Sequence, residues 1–238
     1  MSARVGAHCE WGLAGVEALR ARVAVLVIVD VLSFSTAVDV AVSLGASVIP
    51  FPLGDAAAAR AAAEAAGAVL ATPRRAIGGQ YSLSPASLVG IPPGTRLMLP
   101  SPNGARLSLA GGTTPVLAGC FRNAGAVAQH AEALAQGGAI GVIPAGERWP
   151  DGSLRPAIED WLGAGAILDA LDRTLSAEAR IARDAYRSVG MDLPTLVQES
   201  LSGRELIHGG FPADVEIALD FDISQTVPVL VDGAYRAG

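Results

Sequence analysis

Val23-Ala24-Val25-Leu26-Val27-Ile28-Val29-Asp30 is an unbroken aliphatic run that stops at an acid. A strand with one face in water alternates apolar and polar residues. A run without alternation predicts a strand covered on both faces, as at the centre of a helix-flanked sheet. Three later segments repeat the pattern. Residues 96–100 (RLMLP) lead into Ser101-Pro102-Asn103-Gly104, residues 116–120 (VLAGC) into Phe121-Arg122-Asn123, and residues 139–145 (AIGVIPA) into Gly146-Glu147-Arg148. Recurring strand-helix units predict an α/β fold, a three-layer α/β/α arrangement with a largely parallel or mixed sheet. Such sheets bind ligands beyond the carboxyl ends of their strands. If these strands are parallel neighbours, Asp30, Asn103, Asn123 and Glu147 converge on one crevice.

Composition narrows the partners. The chain has 238 residues, 51% of them hydrophobic, and a formal charge of -6. That length and apolar content suffice for one compact domain over 1–238, or for two intimately packed lobes divided near 93 and 94. No run of Lys and Arg tracks a phosphate backbone, so a nucleic-acid partner is not expected. No apolar stretch reaches the roughly 20 residues that cross a bilayer, so no membrane partner is expected either. Cys9 and Cys120 lack metal-ligand spacing, and no leader-like segment precedes them, which predicts a cytoplasmic protein with free thiols. The apolar content is compatible with a self-associating helical face and a homo-oligomer, a dimer foremost.

Along the chain, a helix is expected from Ser35-Thr36 to about Leu44, ended by Gly45 in the left-handed position. Residues 47–51 read as a strand, and Asp55 caps an Ala-rich helix closed by Gly67. Residues 68–71 read as a further strand. Residues 72–93, with Gly78-Gly79 and several prolines and serines, show no period and read as a long loop, a candidate lid. Helices are expected over 123–136, 157–171, 176–189 and 193–208, and a final strand pair over 215–219 and 227–231. Gly163 and Gly165 inside the second of these helices imply a close neighbour, the sheet being the simplest.

Asp30, pinned at a strand end, is placed to ligate a divalent cation, to attack phosphorus, or to cap the helix that follows. The hydroxyls of Ser33, Ser35 and Thr36 stand at that helix start, where free amides and the dipole attract anions. Asn103 and Gly104 have turn chemistry, and the Asn103 amide also suits a phosphate oxygen or a metal-bound water. Arg122 is either a bidentate grip on an anion, with Asn123 beside it, or a surface residue. Glu147, Glu159 and Asp160 add three carboxylates to Asp30, an oxygen-rich set suited to Mg2+. Adjacent helix residues point about 100° apart, so only one of Glu159 and Asp160 is expected to reach the site directly. His8, His130 and His208 have no zinc spacing. There is no Walker A, GxSxG, GxGxxG or DxDxT motif; the missing second Asp argues against a haloacid-dehalogenase-type phosphatase.

The ordered set Val27-Ile28-Val29-Asp30-Val31-Leu32, Ser84-Pro85, Asn103-Gly104, Asn123-Ala124, Ala145-Gly146-Glu147 and Glu159-Asp160 with Gly163-Ala164-Gly165 resembles the 2-phosphosulfolactate phosphatase family. The tail from Leu201-Ser202-Gly203-Arg204-Glu205-Leu206 through Asp214 to Val227-Pro228 resembles it too. The resemblance implies an α/β fold and a magnesium-dependent phosphatase that converts 2-phospho-3-sulfolactate to 3-sulfolactate in coenzyme M biosynthesis. Joined with the candidates above, it gives catalytic Asp30 and Glu147, Mg2+ on one or more of Asp30, Glu147, Glu159 and Asp160, and a small anionic phosphate ester held by Ser33, Ser35, Thr36, Asn103, Gly104, Arg122 and Asn123. The chain departs from the family pattern where Arg-Ala-Thr-Thr is common and Ser33-Phe34-Ser35-Thr36 stands, where Gly-Asn is common and Ser82-Leu83 stands, and where Thr-Thr-Asn-Gly-Thr is common and Ser101-Pro102-Asn103-Gly104-Ala105 stands. These departures bear on the substrate, and leave a related ester or an anion-binding homologue with weakened turnover as alternatives.

Overall fold

A computed structural model describes residues 6–74 and 79–238; Gly78 of the long loop lies outside them. The aliphatic run forms β2 (Val25–Val29), in which every residue is buried. Its side chains alternate between two cores. Val25, Val27 and Val29 enter one, with residues of α5 (Ala124–Ala135), α6 (Ile158–Ala170) and α7 (Ala177–Val189). Leu26 and Ile28 enter the other, with residues of α1 (Gly12–Leu19), α2 (Phe34–Ser43) and α4 (Gly104–Ala110). Helices on both faces are why no polar alternation survives, and they make the three-layer α/β/α architecture expected from the sequence.

The sheet has nine strands in the order β1-β7-β2-β6-β10-β11-β3-β5-β4. β1 (Ala7–Cys9), β7 (Ile140–Pro144), β2 and β6 (Val116–Gly119) are mutually parallel. So are β3 (Ser47–Pro52), β5 (Arg96–Ser101) and β4 (Val69–Leu70). An antiparallel hairpin of β10 (Pro228–Val231) and β11 (Ala234–Ala237) joins the two blocks, touching each through a single residue pair, Val229 with Leu117 and Tyr235 with Val48. Three antiparallel steps separate β6 from β3, so the second block runs opposite to the first. The sheet is therefore mixed.

Asp55 caps α3 (Ala56–Ala65) as expected, accepting from the amides of Ala57 and Ala58. Leu44 ends α2, and Gly45 follows with φ +83°. The helix expected over 193–208 is two, α8 (Leu193–Glu199) and α9 (Leu201–His208), because Ser200 turns extended and caps the second through the Gly203 amide. Residues 215–219 correct the expected strand: they lie mainly in α10 (Pro212–Ala218). Val-Glu-Ile-Ala imitates strand alternation, but Pro212 at the first turn and buried Val215 and Ala218, three apart, carry the helical period. The final strand pairs instead with β11 across Asp232-Gly233, both at positive φ, the backbone of a two-residue hairpin turn. The described part of 72–93 is no open lid, because Tyr81, Leu88 and Ile91 enter a core. No helix among the described residues is long and apolar enough to cross a membrane.

Both α6 glycines are explained by close packing. A Cβ on Gly163 would press on Val31 and Val29, and one on Gly165 would overlap the Ala182 carbonyl oxygen in α7. Alanine in a helix interior gains about 1 kcal/mol over glycine, whereas overpacking a rigid contact costs about 1–3 kcal/mol. A backbone carbonyl cannot rotate away, so the clash wins. Gly165→Ala is expected to lower unfolding stability by about 1–2 kcal/mol in urea denaturation, and an unchanged midpoint would contradict this packing.

Candidate active site

The carboxyl ends of β2 and β7 are neighbours, and both open onto the start of α6. Asp30, just past β2, is buried. Its Oδ1 accepts from the Phe34 amide at 3.0 Å and its Oδ2 from the Gly104 amide at 2.9 Å. It is thus both the cap of α2 and the tie between α2 and α4. A Cβ at position 104 would overlap the Phe34 ring, so glycine is what lets that amide reach Asp30. Asp160 in α6 braces the same floor, accepting from the Val31 amide at 2.7 Å and the Gly146 amide at 2.8 Å. Glu147 stands past β7 and accepts from the Asn103 side-chain amide through Oε2 at 2.8 Å. It begins β8 (Glu147–Arg148), which pairs with β9 (Leu154–Arg155) and sets Arg155 opposite it. Glu159 is buried, and its Oε2 has no hydrogen-bond partner.

Burial and neighbouring negative charge raise the proton affinity of three of these acids, Asp30, Glu147 and Asp160. Burial pushes Asp30 up to about 6; the Phe34 and Gly104 amides pull it back, the charge on Glu159 raises it, and Arg74 lowers it. Burial, then the charge on Asp30, pushes Glu147 up to about 7, against the Asn103 hydrogen bond and the charge of Arg155. Asp160 is raised well above the ordinary carboxylate range by burial and by Glu159 and Asp30. Excess buried negative charge of this kind is relieved by protons or by a cation. Among the described residues, no three acidic, histidine or cysteine side chains are disposed to hold one ion together. The unpartnered Glu159 oxygen is the one buried carboxylate oxygen of this group left without a hydrogen bond among the described residues, and so is the atom that could accept a cation whose shell is completed by water and substrate oxygens.

Several expected anion contacts are committed elsewhere. Ser35 Oγ donates to the Ile28 carbonyl and accepts from the Asp30 amide, and Thr36 Oγ1 donates to the Val31 carbonyl. Both residues are wholly buried and hold the β2-α2 junction together. The amides of Phe34 and Gly104 are likewise taken by Asp30. Arg122 pairs with Asp39 at 2.8 Å and Asp220 at 3.1 Å, and the Asn123 side chain donates to Asp39 and to the Thr226 carbonyl. That network ties α2 to the C-terminal segment and does not join the carboxylates, although β6 is the neighbour of β2. Of the expected contacts, Ser33 and Asn103 remain at the carboxylate site.

Arg74, which the motif search passes over, and Asp214, singled out only within the family-like tail, enter the site. Arg74, in the segment after β4, donates through Nη2 to Ser33 Oγ at 2.8 Å and to the Leu83 carbonyl at 3.2 Å. Asp214 in α10 lies 3.3 Å from Arg74 Nε and is almost wholly buried. An isolated Arg in a Pro- and Gly-bearing loop has no periodicity to betray it; the one signal was the length of that loop.

The family model described as 2-phosphosulpholactate phosphatase matches residues 16–233, from α1 to the hairpin turn. The chain belongs to this family. Within it, a "2-phosphosulfolactate phosphatase" of Methanothermobacter thermautotrophicus is 35% identical over 142 residues, 59% of this chain and 58% of the relative. A "Probable 2-phosphosulfolactate phosphatase" of Pseudothermotoga lettingae is 30% identical over 140 residues, 58% of this chain and 59% of the relative. One of Thermotoga petrophila is 29% identical over 143 residues, 60% of each chain. The matches thus span about three fifths of these relatives' length.

The raised carboxylates give a stability signature for this family member. Unfolded Asp and Glu titrate near about 4, so the folded state holds these protons more tightly than the unfolded chain does. Stability is then greatest below about pH 4 on this account and falls as pH rises through about 6 for Asp30 and about 7 for Glu147. Thermal melts of metal-free protein are expected to show that decline, and Glu147→Gln, which keeps an oxygen for Asn103, is expected to flatten its upper part. A pH-independent difference between the two proteins would contradict the shift.

Proposed function

We propose that this protein is a magnesium-dependent phosphatase that hydrolyses 2-phosphosulfolactate, or a closely related phosphorylated hydroxy acid, to the hydroxy acid and inorganic phosphate. The observation that carries this is the group of buried Asp30, Glu159 and Asp160 with half-buried Glu147 at the strand ends, in a chain matched by the family model over residues 16–233. The relatives' names point to the same chemistry, and the step would belong to coenzyme M biosynthesis. Two buried, unbridged cysteines accord with a cytoplasmic setting.

Glu159 would hold the ion through its unpartnered oxygen, together with Asp30, whose oxygens, like those of Asp160, each already accept one backbone amide. When bound, Mg2+ would neutralise charge on the phosphoryl oxygens. Water is the nucleophile in this scheme, because each Asp30 oxygen already accepts an amide that fixes it and draws off its electron density. Glu147 is the proton acceptor. Its Oε2 is held by Asn103, its Oε1 is open, and a value of about 7 matches it to taking a proton from water at neutral pH. The oxygen-phosphorus bond to water forms as the ester oxygen-phosphorus bond breaks, and the proton returns to the departing alkoxide.

Phosphate release from 2-phosphosulfolactate and from a panel of 2-phospho-carboxylates tests the proposal directly. Release is expected with Mg2+ and not with a chelator, and Asp30→Asn is expected to lower kcat/KM by at least about 100-fold with the far-UV spectrum intact. No hydroxylamine-sensitive phosphoenzyme is expected in rapid quench. Phosphate binding without release from any ester would instead establish an anion-binding homologue.

A further inference from the structure

The hydroxyls and amides at the start of α2 are already paired within the protein, and Arg122 is held by two acids. A phosphate ester entering a crevice of four carboxylates still requires a fixed positive charge. Arg155 does not meet the need: its guanidinium lies over the Trp149 ring and makes long contacts to Ser202 and Glu205. Arg74 does. It lines a cavity of about 420 Å3 together with Glu147, Ser202 and Phe211, and its charge acts on both Asp30 and Glu147. Its Nη2 is engaged by Ser33 and Leu83, whereas its Nη1 has no hydrogen-bond partner among the described residues. A guanidinium is thus brought to Ser33 at the start of α2 from another segment.

Arg74 is also held in place before any ligand arrives. Asp214 faces its Nε at 3.3 Å without hydrogen-bond alignment, and Phe211 lies under the guanidinium at 5.3 Å from ring centre. Asp214 is itself positioned by a short hydrogen bond from Ser84 Oγ and by the Ala86 amide at 3.2 Å. A cation whose orientation is fixed in advance loses little freedom on binding, which is the arrangement that favours bidentate capture of phosphate.

We propose that Arg74 is the anion receptor of this site, its guanidinium binding the phosphoryl oxygens of the ester, and that Asp214 is the positioning residue that aims it. The assignment rests on the phosphatase reading for its substrate, but its test is separable, because inorganic phosphate serves as the probe. Titration calorimetry with phosphate is expected to show Arg74→Ala weakened by on the order of 10- to 100-fold and Asp214→Asn weakened less. KM for the ester is expected to rise in both. Added guanidinium ion at non-denaturing concentration is expected to restore part of the phosphate affinity of Arg74→Ala, which a purely structural role would not produce. If Arg74→Ala does not fold, Arg74→Lys decides: it keeps the charge opposite Asp214, loses the planar fork, and is expected to bind phosphate several-fold more weakly. A folded Arg74 variant with wild-type phosphate affinity would overturn the inference even if the enzyme turns over. Arg74-dependent phosphate binding without turnover would sustain it while removing the phosphatase reading.

Discussion

The carboxylate of Asp30 joins the start of α2, just after it in the chain, to the start of α4, 74 residues on. One oxygen holds the first turn of α2, the other holds the first amide of α4, and its backbone amide is held by Ser35. Asp160 does the corresponding work on the other side, fastening the ends of β2 and β7 to α6. Without these two acids, four buried amides, those of Val31, Phe34, Gly104 and Gly146, would have no partner, each a penalty of about 1–3 kcal/mol. The same two groups carry the excess negative charge of the crevice. Structural and chemical demands therefore fall on the same atoms, and the protein tolerates raised proton affinities because the amides that hold the carboxylates also offset part of their burial.

The second constraint is the sheet itself. Its parallel blocks run in opposite senses and are linked by a short C-terminal hairpin with one residue pair on each side. β5 belongs to the other block from β2, yet Asn103 and Gly104 still reach Glu147 and Asp30. Proximity at the site is thus set by helix docking across the sheet face, with Phe34 against Gly104, and not by strand adjacency alone. The converse holds for Asn123: it follows the immediate neighbour of β2 and is turned away, because Asp39 and the Thr226 carbonyl, in a cluster with Ser224, claim its amide. Buried Asp39 would be an uncompensated charge without Arg122 and these donors, which explains why the cation expected to meet substrate is spent inside the fold.

The charge balance of the crevice then directs attention to the C-terminal helices. α10 contributes no carboxylate to the cluster, but Asp214 and the preceding Phe211 shape the guanidinium of Arg74, which lines the cavity and acts on the acids. A rigid cation beside carboxylates is a common solution for phosphoryl groups, since it supplies attraction without a loss of side-chain freedom on binding.

By itself, the sequence determined what depends on local pattern. Residues 23–29, apolar on both faces, required helices above and below. Gly45, Asp55 and the turn residues after each strand set element ends through backbone preferences that act over a few residues. The acids at 30, 147, 159 and 160 were legible because a charge beside a buried strand or in the first turn of an apolar helix is costly unless it has a purpose. Tertiary structure alone decided which of them remain open to a ligand, since a carboxylate or hydroxyl is committed by partners 70 to 130 residues away, as with Asp30 and Gly104 or Asp160 and Val31. It also decided that 212–218 is a helix, where an alternating short run was ambiguous until its buried face was known. Arg74 was invisible for the same reason: a loop residue has no period, and its role comes from Ser33, Asp214 and Glu147, which meet only in the folded chain.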